Sequence, residues 1–359
     1  MKRWRIGLLG VAVSLLAIYF VLSQIDVPSL RAALTEARWA YLLPTVIFLM
    51  LGLLTRAARW RLLLSGGLPY RRAFSIMNVA YLVNGVLPLR IGEVARVYLA
   101  TRAQPPVPPL KTASTIIVER LLDLLAVVLL LLLALAGGPL PEELRAAATV
   151  SALAAIAGFV LLVVLAGRRQ LVQRVLAGVI GFIPSWSADS GALAPRLSRW
   201  LDHFLDGLQP LATPRTLFLA LGWTMLSWGF SAVAGYILMF TFYEQASLSA
   251  TFLYIAAAAF AIAVPAMPAN IGPYEASIIV TLRAMGYGEP QTTAVAFAVL
   301  VHGINLAVHA GTGVLGFVQE GISLEQLSRG VREMRQSRGE NDDSGTRTHP
   351  TGGDDARPA

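Results

Sequence analysis

The sequence predicts an all-α polytopic membrane protein, with about six full transmembrane helices and two oppositely oriented re-entrant or broken hairpins, arranged like an inverted repeat. Three observations predict it. Of 359 residues, 56% are hydrophobic and 14% charged, with a mean hydropathy of +0.63; a soluble domain carries about 25% charged residues. Several apolar runs reach the roughly 20 residues that span about 30 Å of hydrocarbon, where a barrel would show short alternating strands. Finally, the frame Pro-x-x-Ile-Gly occurs twice, as Pro88-Leu89-Arg90-Ile91-Gly92-Glu93 and as Pro268-Ala269-Asn270-Ile271-Gly272-Pro273-Tyr274-Glu275. Each copy ends an apolar stretch too short or too broken to cross a bilayer comfortably. Paired interrupted segments in the two halves of a membrane protein are the best sequence pointer to a transport site.

The elements follow in order. The first span is predicted over about Ile6 to Leu22. It is retained, because the run is long for a signal peptide and no clear small-x-small cleavage site follows. Its start, Met1-Lys2-Arg3-Trp4-Arg5, is placed in the cytoplasm, and the mixed-charge loop to Arg38 outside. The second span, Trp39 to Thr55, ends in a basic cytoplasmic loop holding Arg56, Arg59, Trp60, Arg61, Arg71 and Arg72. Ala73 to Leu87 falls short of a crossing and contains Asn78, Asn84 and Gly85. Arg90, Arg96, Arg102 and Lys111 follow it, so basic residues flank both ends, as a hairpin entering from the cytoplasm requires. Non-helical backbone at that depth must be covered by protein or water.

The third full span is predicted over Ala113 to Gly137 and the fourth over Ala146 to Ala166. Residues 168–215 read as a cytoplasmic amphipathic segment. In it, Leu197, Trp200, Leu201, Phe204, Leu205 and Leu208 recur at helical spacing opposite Arg196, Arg199, Asp202 and Asp206. That helix lies on the inner surface or packs against the bundle. The fifth span is Thr216 to Phe242. Thr251 to Met285 is the second broken segment, entering from outside, and Thr292 to Phe317 is the last span, ending inside. Residues 1–335 form the membrane-embedded domain; the polar residues 336–359 are expected to be a disordered cytoplasmic tail. Both termini are thus cytoplasmic, in a cell (inner) membrane.

Composition excludes several classes. The chain has no cysteine, which rules out disulfides, thiolate catalysis and iron–sulfur clusters. A net charge of +8 is compatible with a nucleic-acid partner. The basic residues instead sit at the ends of apolar runs and are not interleaved with aromatic residues for base stacking. No nucleotide-binding loop, serine-nucleophile elbow or Asp-rich metal motif is present, and no cofactor or metal is expected.

The candidate site residues are charged or backbone-breaking groups at membrane depth. Arg90, Glu93 and Arg96 lie at i, i+3, i+6. They form either an arginine fork for a phosphate or carboxylate or a self-neutralising collar at the cytoplasmic surface. Glu119, Arg120 and Asp123 lie inside the third span, where each charge costs about 2.5–3.5 kcal/mol on insertion scales, so they should face the interior and have partners. Arg120 can reach Asp123, but one arginine does not settle two acids. A further cation, such as Arg90 or Arg96, or a proton, is implied; a purely structural ion-pair network is the alternative. Asn84 marks the first break. Asn270, Gly272, Tyr274 and Glu275 form the second, where a helix starting near Tyr274 would point amides and a positive dipole end inward. The alternative there is a kinked helix with a glutamate at its exposed end. His302, Asn305 and His309 share one stripe of the last span. Two histidines alone do not make a metal site, and interhelical hydrogen bonding competes with proton coupling as their role.

Four blocks occur in order: Arg56-x-x-Arg59-Trp60; Asn84-x-x-Leu87-Pro88-x-Arg90-x-Gly92-Glu93-x-x-Arg96; Glu119-Arg120-x-x-Asp123; and Pro268-x-x-Ile271-Gly272-x-x-Glu275. Together, over roughly Arg3 to Met334, they resemble the lysylphosphatidylglycerol synthase transmembrane region, a flippase-like integral membrane family. The resemblance implies a module that moves a lipid or a lipid-linked head group between leaflets. It does not carry over the lysyltransferase activity of the bifunctional members, which resides in a soluble domain not expected here. The family often has an arginine near the position of His302, and this chain departs there.

The expected function is therefore a translocase for an anionic phospholipid or a polyprenyl-phosphate-type lipid, with membrane lipids as its partners and no enzymatic step. Two other classes stay open. One is a membrane enzyme acting on a lipid phosphate through Glu93 or Asp123. The other is a non-catalytic membrane partner of an envelope lipid or glycan enzyme.

Overall fold

The computed structural model describes residues 27–86, 90–137, 212–263 and 268–322, with scattered positions between 146 and 174 and between 325 and 330. The predicted first span, the amphipathic segment, most of the fourth span and the tail lie outside the described residues. Within them the chain is helical, with no strand. In chain order the elements are α1 (Val27–Glu36), a 3-10 turn (Trp39–Tyr41), α2 (Leu42–Leu63), α3 (Tyr70–Val86), α4 (Ile91–Thr101) and α5 (Pro109–Gly137). After these come α6 (Pro214–Met239), α7 (Leu248–Ala263), a second 3-10 turn (Pro268–Asn270), α8 (Pro273–Ala284) and α9 (Gln291–Glu320). Trp39–Leu63, Pro214–Met239 and Gln291–Glu320 are long and apolar enough to cross a membrane. The protein is therefore membrane-embedded. The segment before Arg38, predicted as a plain outer loop, contains α1.

One boundary moves in a way that matters. The second span was predicted to end at Thr55, before a basic loop. Instead α2 continues unbroken to Leu63 and carries Arg56, Arg59 and Trp60 within the helix. Arg59 and Trp60 are fully buried. A buried arginine is tolerated only when paired, and Arg59 has carboxylate partners on α5. That pairing keeps it in the bundle rather than at the surface.

The two broken segments each fold into a helical hairpin. In the first, α3 and α4 pack together, and Arg72 Nη2 at the start of α3 donates to the Arg102 carbonyl at the end of α4, 3.4 Å away. The chain thus returns to the end it left. Arg90 makes the turn in the left-handed region, φ 52°, an uncommon conformation for a non-glycine residue. In the second, α7 packs on α8, and the Tyr243 hydroxyl donates to the Tyr287 carbonyl at 3.1 Å, closing the base. Pro273 opens α8 at a position where its missing N–H costs nothing.

α5 relates the two hairpins. Its start lies at the first hairpin's base, where the Val107 N–H donates to the Ala100 carbonyl. Its end lies at the second hairpin's base, where Gly137 abuts the Ser249 side chain. At 1.5 Å per residue, about 40 Å of helix separates the two bases. The tips point at each other: Arg90 Nη2 donates to the carbonyl of Ile262, in the last turn of α7, and the second 3-10 turn rests on α3.

Two apolar cores divide the bundle the same way. One gathers Trp60, Leu64, Ile76, Met77, Val83 and Leu99 around the first hairpin. The other gathers Leu238, Tyr254, Ile278, Leu282, Phe297 and Val301 around the second. α9 serves both, and Gly313 and Gly316 let it approach the α3 backbone. A Cβ at Gly316 would fall 2.8 Å from the Ser75 carbonyl oxygen. Between the cores lies a polar band.

Candidate functional site

The polar band is a chain of ion pairs built from α2, α4, α5 and α6. Arg59 forks Asp123, with Nη1 to Oδ1 at 2.7 Å and Nη2 to Oδ2 at 3.2 Å. Its Nη1 also donates to Thr224 Oγ1 at 3.0 Å, and its Nε lies 3.8 Å from Glu119 Oε1. The other oxygen of Glu119 takes Arg96 Nη1 at 2.6 Å. The Arg96 guanidinium lies 3.8 Å over the Trp60 ring, and the Trp60 indole N–H donates to Thr115 Oγ1 at 3.2 Å. The Trp228 indole N–H donates to Asp123 Oδ1 at 3.0 Å. The Arg59, Arg96 and Glu119 side chains are 2%, 7% and 5% exposed.

This geometry follows from helical spacing. Glu119 and Asp123 sit at i, i+4 on α5 and share one face. As two carboxylates on a buried face they repel unless cations come between them. Arg59 lies between them, and Arg96 supplies the second charge.

The network has an open flank. Arg120 turns away from the buried face and pairs with Glu93 of α4, Nη2 to Oε1 at 2.6 Å, with the side chains 45% and 32% exposed. Asp123 is 22% exposed. Arg56, one turn before Arg59, is half-buried. Its Nε donates to Ser227 Oγ at 3.0 Å, and its guanidinium lies 5.5 Å from the Trp228 ring.

The second break has a smaller constellation. Glu275 Oε1 lies 2.6 Å from His302 Nδ1, and both residues are buried. Glu275 Oε2 accepts the Gly272 N–H at 2.7 Å. Gly272 has φ 98°, a backbone conformation open to glycine. The Tyr274 ring lies against His302, centroids 4.4 Å apart. Glutamate three residues after the cap position is the reciprocal half of a capping box.

The predicted site residues thus fall into three groups. Arg96, Glu119 and Asp123 join one buried network, and Arg96 is one of the two cations proposed to settle the acids. Arg90 is not the other: it goes to the α7 carbonyl. Nor does Arg120 pair with Asp123; its ion pair is with Glu93. Asn84 clasps the first hairpin, its Oδ1 accepting the Gly92 N–H at 2.8 Å. At the second break, Asn270 lies in the 3-10 turn at φ 55°. Gly272, Tyr274 and Glu275 close on one another and on His302, so the amide expected to receive an anion already has the Glu275 carboxylate. His309, on the same stripe as His302, lies instead against Tyr81, centroids 5.0 Å apart. Asn305 donates back to the Val301 carbonyl.

Arg59 is the residue that sequence reasoning missed as a site member. The signal was present: two acids at i, i+4 needed two cations, and Arg59-Trp60 follows an apolar run without a turn residue. Trp228 and Thr224 carried no such signal, because aromatic and small polar residues recur throughout the spans.

These features define a helical membrane protein with paired charges held between two facing hairpins. The profile of the lysylphosphatidylglycerol synthase TM region matches residues 7–313, and the chain belongs to that family. No curated protein and no solved structure matches the chain.

Proposed function

We propose that this chain is a lipid translocase of the cell membrane, with both termini cytoplasmic, moving an anionic phospholipid or a polyprenyl-phosphate-type lipid without converting it chemically. The observation that carries this reading is the meeting of the two hairpin tips, through Arg90 and the Ile262 carbonyl, beside a network of three arginine–carboxylate pairs that is buried at Arg59, Arg96 and Glu119 and open at Arg120–Glu93. In transporters built from opposed repeats, broken helices meet near the midplane and line the substrate route. Both hairpins are then re-entrant, each entering from its own face. Charged groups inside a membrane mark such routes, and arginine forks suit phosphate.

In this reading Arg59, Arg96, Glu119 and Asp123 hold the route's wall. Glu93, Arg90 and Arg120 line its accessible side, where an incoming head group can exchange with the Glu93–Arg120 pair. Asn84, Asn270, Gly272, Tyr274 and Glu275 shape the two breaks that must move for the head group to pass.

Leaflet exchange of labelled anionic phospholipid in reconstituted vesicles tests the reading. Wild-type protein should speed exchange over protein-free vesicles, and Glu119→Gln and Arg120→Gln should each remove most of the gain. Equal exchange by wild type and both variants would refute it.

A further inference from the structure

The second tip carries a titratable pair for which head-group binding has no use. Glu275 Oε1 and His302 Nδ1 lie 2.6 Å apart, a separation that needs a proton between them, since a carboxylate oxygen and a bare ring nitrogen are both acceptors. The two side chains are 10% and 7% exposed. The other Glu275 oxygen accepts the Gly272 N–H. One carboxylate therefore ties the tip both to its own first amide and to α9.

Few charged or titratable groups surround the pair. On α8, Tyr274 lies against the His302 ring, and Arg283 is about 12 Å further along the helix. From α7, Tyr254 turns its hydroxyl toward Gly235 of α6. Tyr81 of α3 lies against His309, and Arg56 of α2 acts on that same histidine, about 10 Å from His302 along α9. Arg90 of the first tip is given to the Ile262 carbonyl. Among the described residues, Glu275 thus has no arginine or lysine within ion-pair distance, unlike Glu93, Glu119 and Asp123. Its charge is offset by His302 alone, and only while His302 is imidazolium.

The charge of the pair therefore follows one proton. With Nδ1–H donated to the carboxylate and Nε2 bare, the pair carries one negative charge. A proton on Nε2 brings it to zero and keeps the contact with Glu275. An uncompensated charge is costly inside a membrane, so the tip passes through the interior far more readily in the neutral form.

We infer that Glu275 and His302 form a proton-binding site, and that the second tip moves with the proton bound, which couples lipid movement to a pH gradient. This rests on the translocase reading and supplies its driving force. The proton binds Nε2 on the acidic side and leaves Nε2 on the other side once the tip has moved; no other bond forms or breaks. One proton travelling with one phosphatidylglycerol carries no net charge, so the pH gradient drives the movement and a membrane potential does not.

Two measurements test this. NMR of the full purified chain with isotope-labelled histidine follows the proton directly. Of the four histidines, the one whose signal disappears in His302→Gln should pass from neutral imidazole to imidazolium between about pH 8 and about pH 5. A His302 that keeps one form throughout would overturn the inference. In vesicles of neutral lipid holding labelled phosphatidylglycerol, a gradient of about one pH unit should move label out of the leaflet on the acidic side. One proton per lipid supports an asymmetry of up to about tenfold. A protonophore should abolish it, and Glu275→Gln and His302→Gln should each reduce it to the level of protein-free vesicles. Label gathering on the acidic side, or an asymmetry that survives either variant, would overturn the inference. Should neither variant fold, wild type decides: exchange that ignores the gradient overturns it as well. The translocase reading fails separately, if wild type speeds exchange of no lipid with or without a gradient.

Discussion

The two hairpins begin from nearly the same words, Pro-x-x-Ile-Gly and then a glutamate, and use them in opposite ways. In the first, Glu93 reaches out of its hairpin to Arg120 on α5, while Asn84 does the clasping. In the second, Glu275 turns back on its own backbone at Gly272 and holds His302 with its other oxygen. Position along the helix does not separate them, because each glutamate is the third residue of its helix, counted from Ile91 in α4 and from Pro273 in α8. The cap residue and the neighbouring helix do. In the second tip the cap is Gly272, whose N–H donates to Glu275 in a capping box; in the first the cap is Arg90, and Glu93 goes to the Arg120 guanidinium on α5 instead. A shared motif thus yields a charge-exchanging tip in one half and a self-capped tip in the other.

The largest effect that bears on this contrast is the loss of a network cation. Arg59→Ala leaves Asp123 without its fork and Glu119 with one partner, both beside a buried cavity. Removing one member of a buried ion pair costs about 3–5 kcal/mol. His302→Ala removes the only side chain paired with Glu275 among the described residues, while the second Glu275 oxygen still caps Gly272, and a single unmet buried acceptor costs about 1–3 kcal/mol. Thermal unfolding in detergent should therefore rank Arg59→Ala well below His302→Ala. Equal losses would mean that the first half is not the more charge-dependent one.

Next comes Gly92→Ala. The new Cβ would lie 2.0 Å from the Ala80 carbonyl oxygen and 2.6 Å from Asn84 Oδ1. The first obstacle is backbone, which cannot rotate away, so α4 must separate from α3. Overpacking costs about 1–3 kcal/mol, and this contact lies at the upper end. Gly272→Ala strains a φ of 98° instead, with about 1–2 kcal/mol as the usual scale for a left-handed L-residue. Proteolysis at the turn should increase in both, and more in Gly92→Ala.

Much of this contrast was legible in the sequence, and the illegible part has one cause. The two breaks, the long spans and the acids at 119 and 123 were visible because proline, glycine and intramembrane charge each carry a local signature. Arg96 was named, with Arg90 or a proton as alternatives, because the acids demanded a partner; the structure gives Glu119 to Arg96 and Arg90 to the Ile262 carbonyl. Arg59 was assigned to a surface loop because arginines at the end of an apolar run normally obey the positive-inside rule; only the tertiary pairing with α5 reverses that. The fate of each glutamate was hidden for the same reason. Whether it turns back or reaches across depends on which helix packs beside it, and no local pattern encodes that.

A smaller effect sharpens the second half. Glu275→Ala removes both the cap and the His302 partner, whereas Glu275→Gln keeps an acceptor for the Gly272 N–H and gives up the charge. Loss of a cap costs about 1 kcal/mol. Hydrogen exchange at the first amides of α8 should be faster in Glu275→Ala than in Glu275→Gln. If both exchange alike, His302 and not the cap orders the second tip.

The smallest change isolates the clasp of the first half. Asn84→Ala leaves the Gly92 N–H without its acceptor at 2.8 Å, and a lost hydrogen bond of this kind is worth about 1 kcal/mol. Unlike the Glu275 changes, it leaves every charge in place. Glu93 and Arg120 keep their pair, and Arg90 keeps the α7 carbonyl. If the first tip is held mainly by its ion pairs, Asn84→Ala should loosen the turn locally, seen as faster exchange at Gly92, while the melting temperature falls only slightly. A collapse as deep as that of Arg59→Ala would show that backbone clasping governs both halves. The contrast between a charge-held tip and a self-capped tip would then be one of detail rather than of design.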